Sequence, residues 1–141
     1  MKMESPIKNV FDVAMRSLSA QQVRMNTIAS NIANAGAKSG SPKEAYRAIR
    51  PVFETLVSDS WNDLGLSAVG IKEIQALNRD PVKLYEPNHP NADKDGYVYQ
   101  AAVDQEEELI ELLEASRQYQ NNLEVISTLR NVMIRTIDIG K

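Results

Sequence analysis

Apolar residues recur every three or four positions in two long segments, one near each end of the chain. In the first segment, Gln21 is the one polar residue at a position of this repeat. A seven-residue repeat with two apolar positions is typical of a narrow helical stripe that packs on another helix. The pattern predicts a helix over residues 6–35, about 45 Å long. Its apolar positions are Ile7, Phe11, Ala14, Leu18, Met25, Ile28, Ile32 and Ala35.

Local signals at both ends of this segment agree with a helix. Ser5 is a favourable N-cap, and Pro6 suits the first helical position, where no intrahelical N–H bond is lost. Gly36 is placed to end the helix in a left-handed turn.

The second segment covers residues 104–138. Asp104 can cap a helix. The acidic run Glu106, Glu107 and Glu108 places negative charge in the first turn, where the helix dipole favours it. A second helix of about 50 Å is therefore predicted. Its stripe is read as Leu109, Leu112, Ser116, Tyr119, Leu123, Ile126, Leu129, Met133 and Ile137.

The middle of the chain lacks this helical spacing. Residues 37–42 are small and polar and predict a flexible joint, while alternation over 45–55 predicts one or two strands. Further short strands are predicted at 69–74, 82–85 and 97–99, between turn signals.

These elements predict a mainly α fold with a small β part. Long N- and C-terminal helices are expected to pack as a coiled-coil-like pair, with a small irregular β domain between them. The predicted boundaries are 1–36 for the N-terminal helix, 37–103 for the middle domain with its joint, and 104–141 for the C-terminal helix.

Composition narrows the classes of function. Of the 141 residues, 43% are apolar and 25% charged, as in a globular protein, and the net charge of −3 disfavours nucleic-acid binding. No cysteine is present, which removes disulfides and thiolate chemistry. The chain begins without the apolar block of a cleaved signal, and no run is long enough to span a bilayer, so the default expectation is a cytoplasmic protein that is not membrane-inserted.

The sequence offers little for catalysis. The single histidine, His89, lies between prolines in the loop 87–90, and phosphate-loop, dinucleotide, zinc-protease and serine-hydrolase motifs are absent. We therefore expect no enzyme activity, no cofactor and no small-molecule substrate.

One segment is similar to a calcium loop. Asn91, Asp93, Asp95 and Gly96 match its first positions, but Ala102 stands where a bidentate Glu is required. Because Asp and Gly favour tight turns, we read a turn here and expect no metal site.

Three stretches resemble the flagellar rod and hook proteins, an axial family. Residues 19–21 (Ser-Ala-Gln), 24–26 (Arg-Met-Asn) and 29–35 (Ala-Ser-Asn-Ile-Ala-Asn-Ala) resemble its N-terminal signature, and 115–126 its C-terminal one. The stretch 85–98, with Tyr-Glu-Pro-Asn-His-Pro and Gly-Tyr-Val, is similar to the FlgC branch, the proximal-rod type.

The resemblance implies a structural subunit of the flagellar rod, which would transmit torque in a rigid helical shaft. It implies passage through the flagellar type III export apparatus without a cleaved signal, and assembly in the periplasm with the terminal helices innermost. Expected partners are further copies, other rod subunits and the basal-body adaptor protein at the membrane ring. The alternative is a cytoplasmic helical-hairpin adaptor.

The resemblance also implies which residues form subunit contacts. For the asparagines, a capping or solvated role is the alternative. We further hypothesise that the two helices fold fully only when neighbours cover their stripes. The expected interface residues are Leu18, Met25, Asn26, Ile28, Asn31, Ile32, Asn34, Tyr119, Asn122, Leu123 and Ile126.

Overall fold

A computed structural model of the protein describes residues 6–59 and 64–139. The predicted fold class is confirmed: two long terminal helices enclose a small β region along the chain. Within the described ranges the elements are α1 (Pro6–Asn34), β1 (Lys38–Ser39), β2 (Ile49–Leu56), β3 (Ala68–Ala76), β4 (Val82–Tyr85), β5 (Tyr97–Gln100) and α2 (Gln105–Ile139).

Helices α1 and α2 pack side by side and run antiparallel. The Gln21 amide donates to Gln118 Oε1 at 2.9 Å, and Arg24 Nη2 donates to Glu111 Oε2 at 2.5 Å. Residue numbers thus rise along α1 as they fall along α2. The predicted pairing of the two helices is confirmed.

The start of α2 has the predicted cap. Asp104 Oδ1 accepts hydrogen bonds from the backbone N–H groups of Glu106 and Glu107, at 2.9 and 3.2 Å. These bonds satisfy two donors that have no partner within the helix. The predicted N-cap of α1, Ser5, lies outside the described residues.

The predicted left-handed end of α1 at Gly36 is wrong. Positive φ occurs in the described residues at Gly65 and Gly96 instead. Helix α1 ends through short-range bonds, with the Ala35 N–H donating to Ile32 O at 3.3 Å and the Ala37 N–H to Asn34 O at 3.0 Å. Such i to i−3 bonds tighten the last turn and use its free carbonyls.

The predicted flexible joint is also corrected. Lys38 and Ser39 form β1, which pairs antiparallel with β5, and the Ala101 N–H donates to Ala37 O at 2.9 Å. The joint is therefore held to the sheet by backbone hydrogen bonds.

The strands form two separate antiparallel sheets. One has the order β1-β5-β4, and the other is a ribbon of β2 and β3 with an irregularity between Val52 and Phe53. The strands predicted around 69–74, 82–85 and 97–99 are present, and the stretch 45–55 supplies β2. Both strands of the ribbon pack on α1.

Small residues dominate the core. Close backbone contacts need them: the Leu77 N–H reaches Ala48 O at 2.8 Å, and the Ala102 N–H reaches Tyr46 O at 2.8 Å. The core lies where α1 and the first turns of α2 meet the strands and the segments next to them. The buried apolar side chains of the described residues are Ala20, Ile28, Ala35, Ala45, Ala48, Ala68, Val98, Ala101, Ala102 and Ala115.

Candidate assembly interface

A buried polar cluster joins the two helices to β2. Asn31 is fully buried, and its amide nitrogen donates to Ile49 O and to Glu108 Oε2, both at 3.0 Å. Its amide oxygen accepts from the Tyr46 hydroxyl at 2.9 Å and from the Ile49 N–H at 2.8 Å. Both donors and both acceptor positions of the amide are therefore used.

Glu108 completes this cluster with a charge. Its side chain is 1% exposed, and Arg50 donates to both of its carboxylate oxygens, at 2.9 and 2.6 Å. A buried carboxylate is costly unless it is paired and hydrogen-bonded, and a bidentate arginine meets that need. We call Asn31, Tyr46, Arg50 and Glu108 the polar clamp, because they hold α1, β2 and α2 in one arrangement.

A second arginine–glutamate pair lies beside the clamp on the surface. Arg79 donates to both carboxylate oxygens of Glu107, at 2.6 and 2.9 Å. The hydrogen bond from Arg79 holds the pKa of the Glu107 carboxyl below its ordinary value, and the same contact raises the pKa of Arg79. This pair ties the segment after β3 to the first turn of α2.

The loop between β4 and β5 contacts β1, which follows α1. Lys38 Nζ lies 2.6 Å from Glu86 Oε1, and the Asn91 amide donates to Lys38 O at 3.0 Å. His89 is engaged in the same loop, where its Nδ1 accepts from the Asn91 N–H at 3.0 Å. The stretch that resembles one branch of the axial family therefore fixes the joint after α1.

The segment similar to a calcium loop is a turn, as predicted. Asp93 Oδ1 accepts from the backbone N–H groups of Asp95 and Tyr97, at 2.9 and 2.8 Å, and Gly96 has φ 82°. In the described ranges, no three acidic, histidine or cysteine side chains are grouped so as to hold a metal ion.

Helix α2 leaves large apolar side chains on the surface. Near the clamp, Leu109, Ile110 and Leu113 are 53%, 67% and 63% exposed, and we call these three the proximal patch. Near the other end, Ile134 and Ile137 are 47% and 62% exposed, and we call these two the distal patch. Several adjacent exposed apolar residues indicate a binding surface, whereas single ones do not.

The side of α2 that packs on α1 matches the predicted stripe only in part, because the two share Leu112, Tyr119, Ile126, Leu129 and Met133. The inward residues recur at spacings of four and three, and they are Glu108, Leu112, Ala115, Tyr119, Asn122, Ile126, Leu129 and Met133. Glu108, assigned from sequence to the helix dipole alone, occupies the first of these positions. Leu109, Leu123 and Ile137 of the predicted stripe are exposed.

The expected interface residues occupy three environments. Ile28 and Asn31 are buried within this chain. Asn26 and Leu123 are exposed. The partly buried ones are Leu18, Met25, Ile32, Asn34, Tyr119, Asn122 and Ile126. Asn34 donates from its amide to Ser30 O at 2.8 Å, which satisfies a carbonyl in the last turn of α1.

Sequence reasoning missed three members of the clamp, Tyr46, Arg50 and Glu108. The available signal was the unbroken spacing of four and three that begins at Glu108, which places that carboxylate on the inward side of α2. An inward carboxylate requires a cation, and Arg50 lies in the predicted strand.

Comparison with known sequences places this architecture among flagellar axial proteins. Residues 11–36 match the family described as flagella basal body rod protein. Residues 94–139 match the family described as flagellar basal body rod FlgEFG protein C-terminal. Both matches lie largely on the two helices. The class is therefore that of structural proteins of the flagellar rod.

Relatives that match along nearly their whole length show to which branch of the axial proteins the chain belongs. The chain is 39% identical to the flagellar basal-body rod protein FlgC of Salmonella typhimurium, over 94% of this chain and 97% of the relative. It is 31% identical to FlgC of Aquifex aeolicus, over 96% and 98%. The chain belongs to the FlgC family of flagellar basal-body rod proteins.

Membership gives a structural subunit of the rod that assembles with other rod subunits in the flagellar basal body. The alternative of a cytoplasmic adaptor is not favoured. In the described ranges, neither long helix is apolar enough to cross a membrane.

Proposed function

We propose that this subunit forms part of a helical tube whose inner layer consists of α1 and α2 pairs, with the strands outside it. The tube would transmit torque passively through the periplasm. The observation that carries the proposal is the row of large apolar side chains that α2 leaves exposed after pairing with α1.

Tube geometry explains why one helix pair should expose two patches. A helical assembly is built from contacts between different surfaces of identical or similar subunits, which do not close on themselves. The proximal and distal patches lie about 30 Å apart along α2 and can therefore serve different neighbours. The polar clamp would keep the proximal patch in a fixed orientation relative to the strands.

The proposed subunit contacts include the predicted residues that retain exposed surface. Asn26 and Leu123 are exposed, and Met25 and Asn122 are partly so. Ile28 and Asn31 are instead expected to act indirectly, because their side chains support the helix pair from within.

The finer partners and the route are also part of the proposal. Support comes from the family, since its members are rod proteins. We expect contacts with further copies, with other rod subunits and with the adaptor at the membrane ring. Export would occur through the flagellar type III apparatus without a cleaved signal.

Deletion of the gene in its own bacterium tests the proposal. Electron microscopy of basal bodies should show no rod or hook, and the intact gene should restore both. The double variant Ile110→Asp/Leu113→Asp should fail to restore them, because charges on the proximal patch oppose burial.

The matched control is Ile74→Asp, which changes an exposed isoleucine on β3, outside the proposed inner layer. It should restore rods. Complete, rotating flagella in the deletion strain would overturn the proposed function.

A further inference from the structure

We infer that the proximal patch of one subunit packs against α1 of a second copy of the same chain, at a face formed by Asn26, Ala29 and Ala33. We call these three residues the small face. The inference rests on the proposed function and deepens it by naming both surfaces of a lateral contact between neighbouring helix pairs. Three observations carry it: the sizes of the side chains, the directions in which they point, and their positions along the pair.

The first observation is a difference in side-chain size between the two helices. The proximal patch offers two leucines and an isoleucine, each more than half exposed. On α1, Asn26, Ala29 and Ala33 are exposed, and spacings of three and four place them on one side of the helix. Met25 lies four residues before Ala29 and is partly buried, so the small face has an apolar border. Because small side chains let two helices approach closely, large side chains of a neighbour can pack into this face.

The second observation is that the two surfaces lie on opposite edges of the helix pair. On α2, the proximal patch lies about 120–160° around the helix from the buried Ala115, which faces α1. On α1, the small face lies about 100–160° around from the buried Ile28. Ile28 is seven residues after Gln21, which bonds to Gln118 of α2, so Ile28 marks the side that faces α2. Each surface therefore points away from the other helix.

The third observation is that the two surfaces lie at the same height along the pair. The Asn31–Glu108 hydrogen bond joins two residues that are level with each other. A second bond between the helices, ten residues further along each of them, gives the same alignment. Counting from these bonds along the antiparallel helices brings Ala29 level with Ile110. A neighbouring copy placed alongside with little axial shift therefore brings its small face to the proximal patch.

Opposite edges at one height are what a row of identical helix pairs requires. The patch of each subunit packs on the small face of the next, whose own patch remains open for a further copy. A contact of patch with patch would instead join two subunits and end there. Residues 1–5 span at most about 18 Å, whereas Pro6 lies about 30 Å from Asn26 along α1, so they do not reach either surface of their own chain. The occupant that fits is a second copy.

Disulfide crosslinking tests this contact, because the chain has no cysteine of its own. The double variant Ile110→Cys/Ala29→Cys is expressed in the gene-deletion strain, basal bodies are isolated and mildly oxidised, and non-reducing gels display the subunit. Within one chain the two positions lie on opposite edges of the pair, farther apart than the roughly 7 Å between Cα atoms that a disulfide tolerates. The expected product is a ladder of dimers, trimers and larger species.

The single variants and a matched control identify the surfaces. Neither Ile110→Cys nor Ala29→Cys alone should join two copies, and a dimer from Ile110→Cys alone would overturn the inference by showing a contact of patch with patch. The control Ile110→Cys/Ala76→Cys, with its second cysteine at an exposed alanine of β3, should give no ladder.

The outcomes separate this inference from the proposed function. Rods that assemble with Ile110→Cys/Ala29→Cys but give no ladder would overturn the lateral contact and leave the rod role intact. Rods that form without the gene would overturn the rod role itself.

An exchange of side-chain sizes keeps the test decisive if the cysteines block assembly. Ala29→Leu should reduce the number of flagella several-fold, because it fills the small face, whereas Ala76→Leu on β3 should not. Adding Ile110→Ala to Ala29→Leu should restore part of the loss. Since the two residues lie on opposite edges of one chain, that rescue would act between copies. Equal effects of the two leucine variants, or a double variant as impaired as Ala29→Leu alone, would contradict the inference.

Discussion

Asn31 and Glu108 are 77 residues apart in the chain, yet the Asn31 amide donates to the Glu108 carboxylate at 3.0 Å in the buried base of the helix pair. Each side chain also bonds to β2 or its neighbourhood, through Ile49, Tyr46 and Arg50. The Asn31 amide and the Glu108 carboxylate therefore fix the position of the two helices relative to β2.

Removal of the Asn31 amide should be strongly destabilising. Asn31→Ala leaves the Tyr46 hydroxyl and the Ile49 N–H without their acceptor in a buried site, and such losses cost about 1–3 kcal/mol per group. Urea unfolding of the purified subunit should show a loss of about 3 kcal/mol. Asn26→Ala, at an exposed position on α1, should change stability by less than about 0.5 kcal/mol. Equal losses in the two variants would show that the clamp does not stabilise the fold.

The Arg50–Glu108 pair should show strong coupling. Arg50→Ala leaves a buried carboxylate without its cation, a change that costs about 3–5 kcal/mol in buried pairs. The double variant with Glu108→Ala should be less destabilised than the sum of the two single variants, because neither charge is then left alone. A double-mutant cycle of urea midpoints measures this, and strict additivity would argue against the pair.

Two glycines should respond in opposite ways to alanine. Gly96 has φ 82°, and an added Cβ would lie 3.0 Å from the Tyr85 ring and 3.1 Å from Pro87. Gly96→Ala should therefore cost about 1–3 kcal/mol. Gly36 lacks a positive φ and has open space around it, so Gly36→Ala should be neutral or stabilising by up to about 1 kcal/mol. Thermal unfolding of both variants checks this. Destabilisation by Gly36→Ala would instead support the left-handed turn that the sequence predicted at Gly36.

The Arg79–Glu107 pair predicts a measurable titration. Arg79 lowers the pKa of Glu107, so the stabilisation by this pair is full above the ordinary carboxyl pKa and is lost as pH falls through the lowered value. NMR titration should place the Glu107 midpoint below the ordinary glutamate value, and Arg79→Gln should raise it toward that value. The effect on overall stability should stay within about 1 kcal/mol, since the pair is exposed. An unchanged Glu107 midpoint in Arg79→Gln would contradict this assignment.

Amide exchange should distinguish the two ends of the helix pair. The buried residues of α2 are Glu108 and Ala115, and the Gln21–Gln118 hydrogen bond joins the helices near the middle of α2. In a dilute monomer, amides of residues 105–115 should exchange more slowly than those of 119–137. Slower exchange at residues 105–115 would restrict the hypothesis of folding on assembly to the distal part of α2. Uniform protection along α2 would contradict it.

Part of the predicted α2 stripe shows where sequence reasoning failed. Leucines and isoleucines occur on both sides of this helix, and the predicted stripe passed through Leu109 and Leu123, which are exposed. The true inward side includes Glu108 and Asn122, which a search for apolar residues passes over. Burial of these polar groups depends on partners such as Arg50, which local pattern does not reveal.

The sequence by itself determined the two long helices, the β character of the middle and the axial family. These follow from local spacing, caps and signature residues, all of which lie within short stretches of chain. Only the tertiary structure decided that Asn31 and Glu108 belong to the interior, that residues 38 and 39 join the sheet, and that Leu109, Ile110 and Leu113 remain outside. The reason is physical: a residue faces the core or the solvent according to which distant segment covers it, and hydrogen bonds across the fold can bury a polar side chain while apolar ones stay exposed for a neighbour.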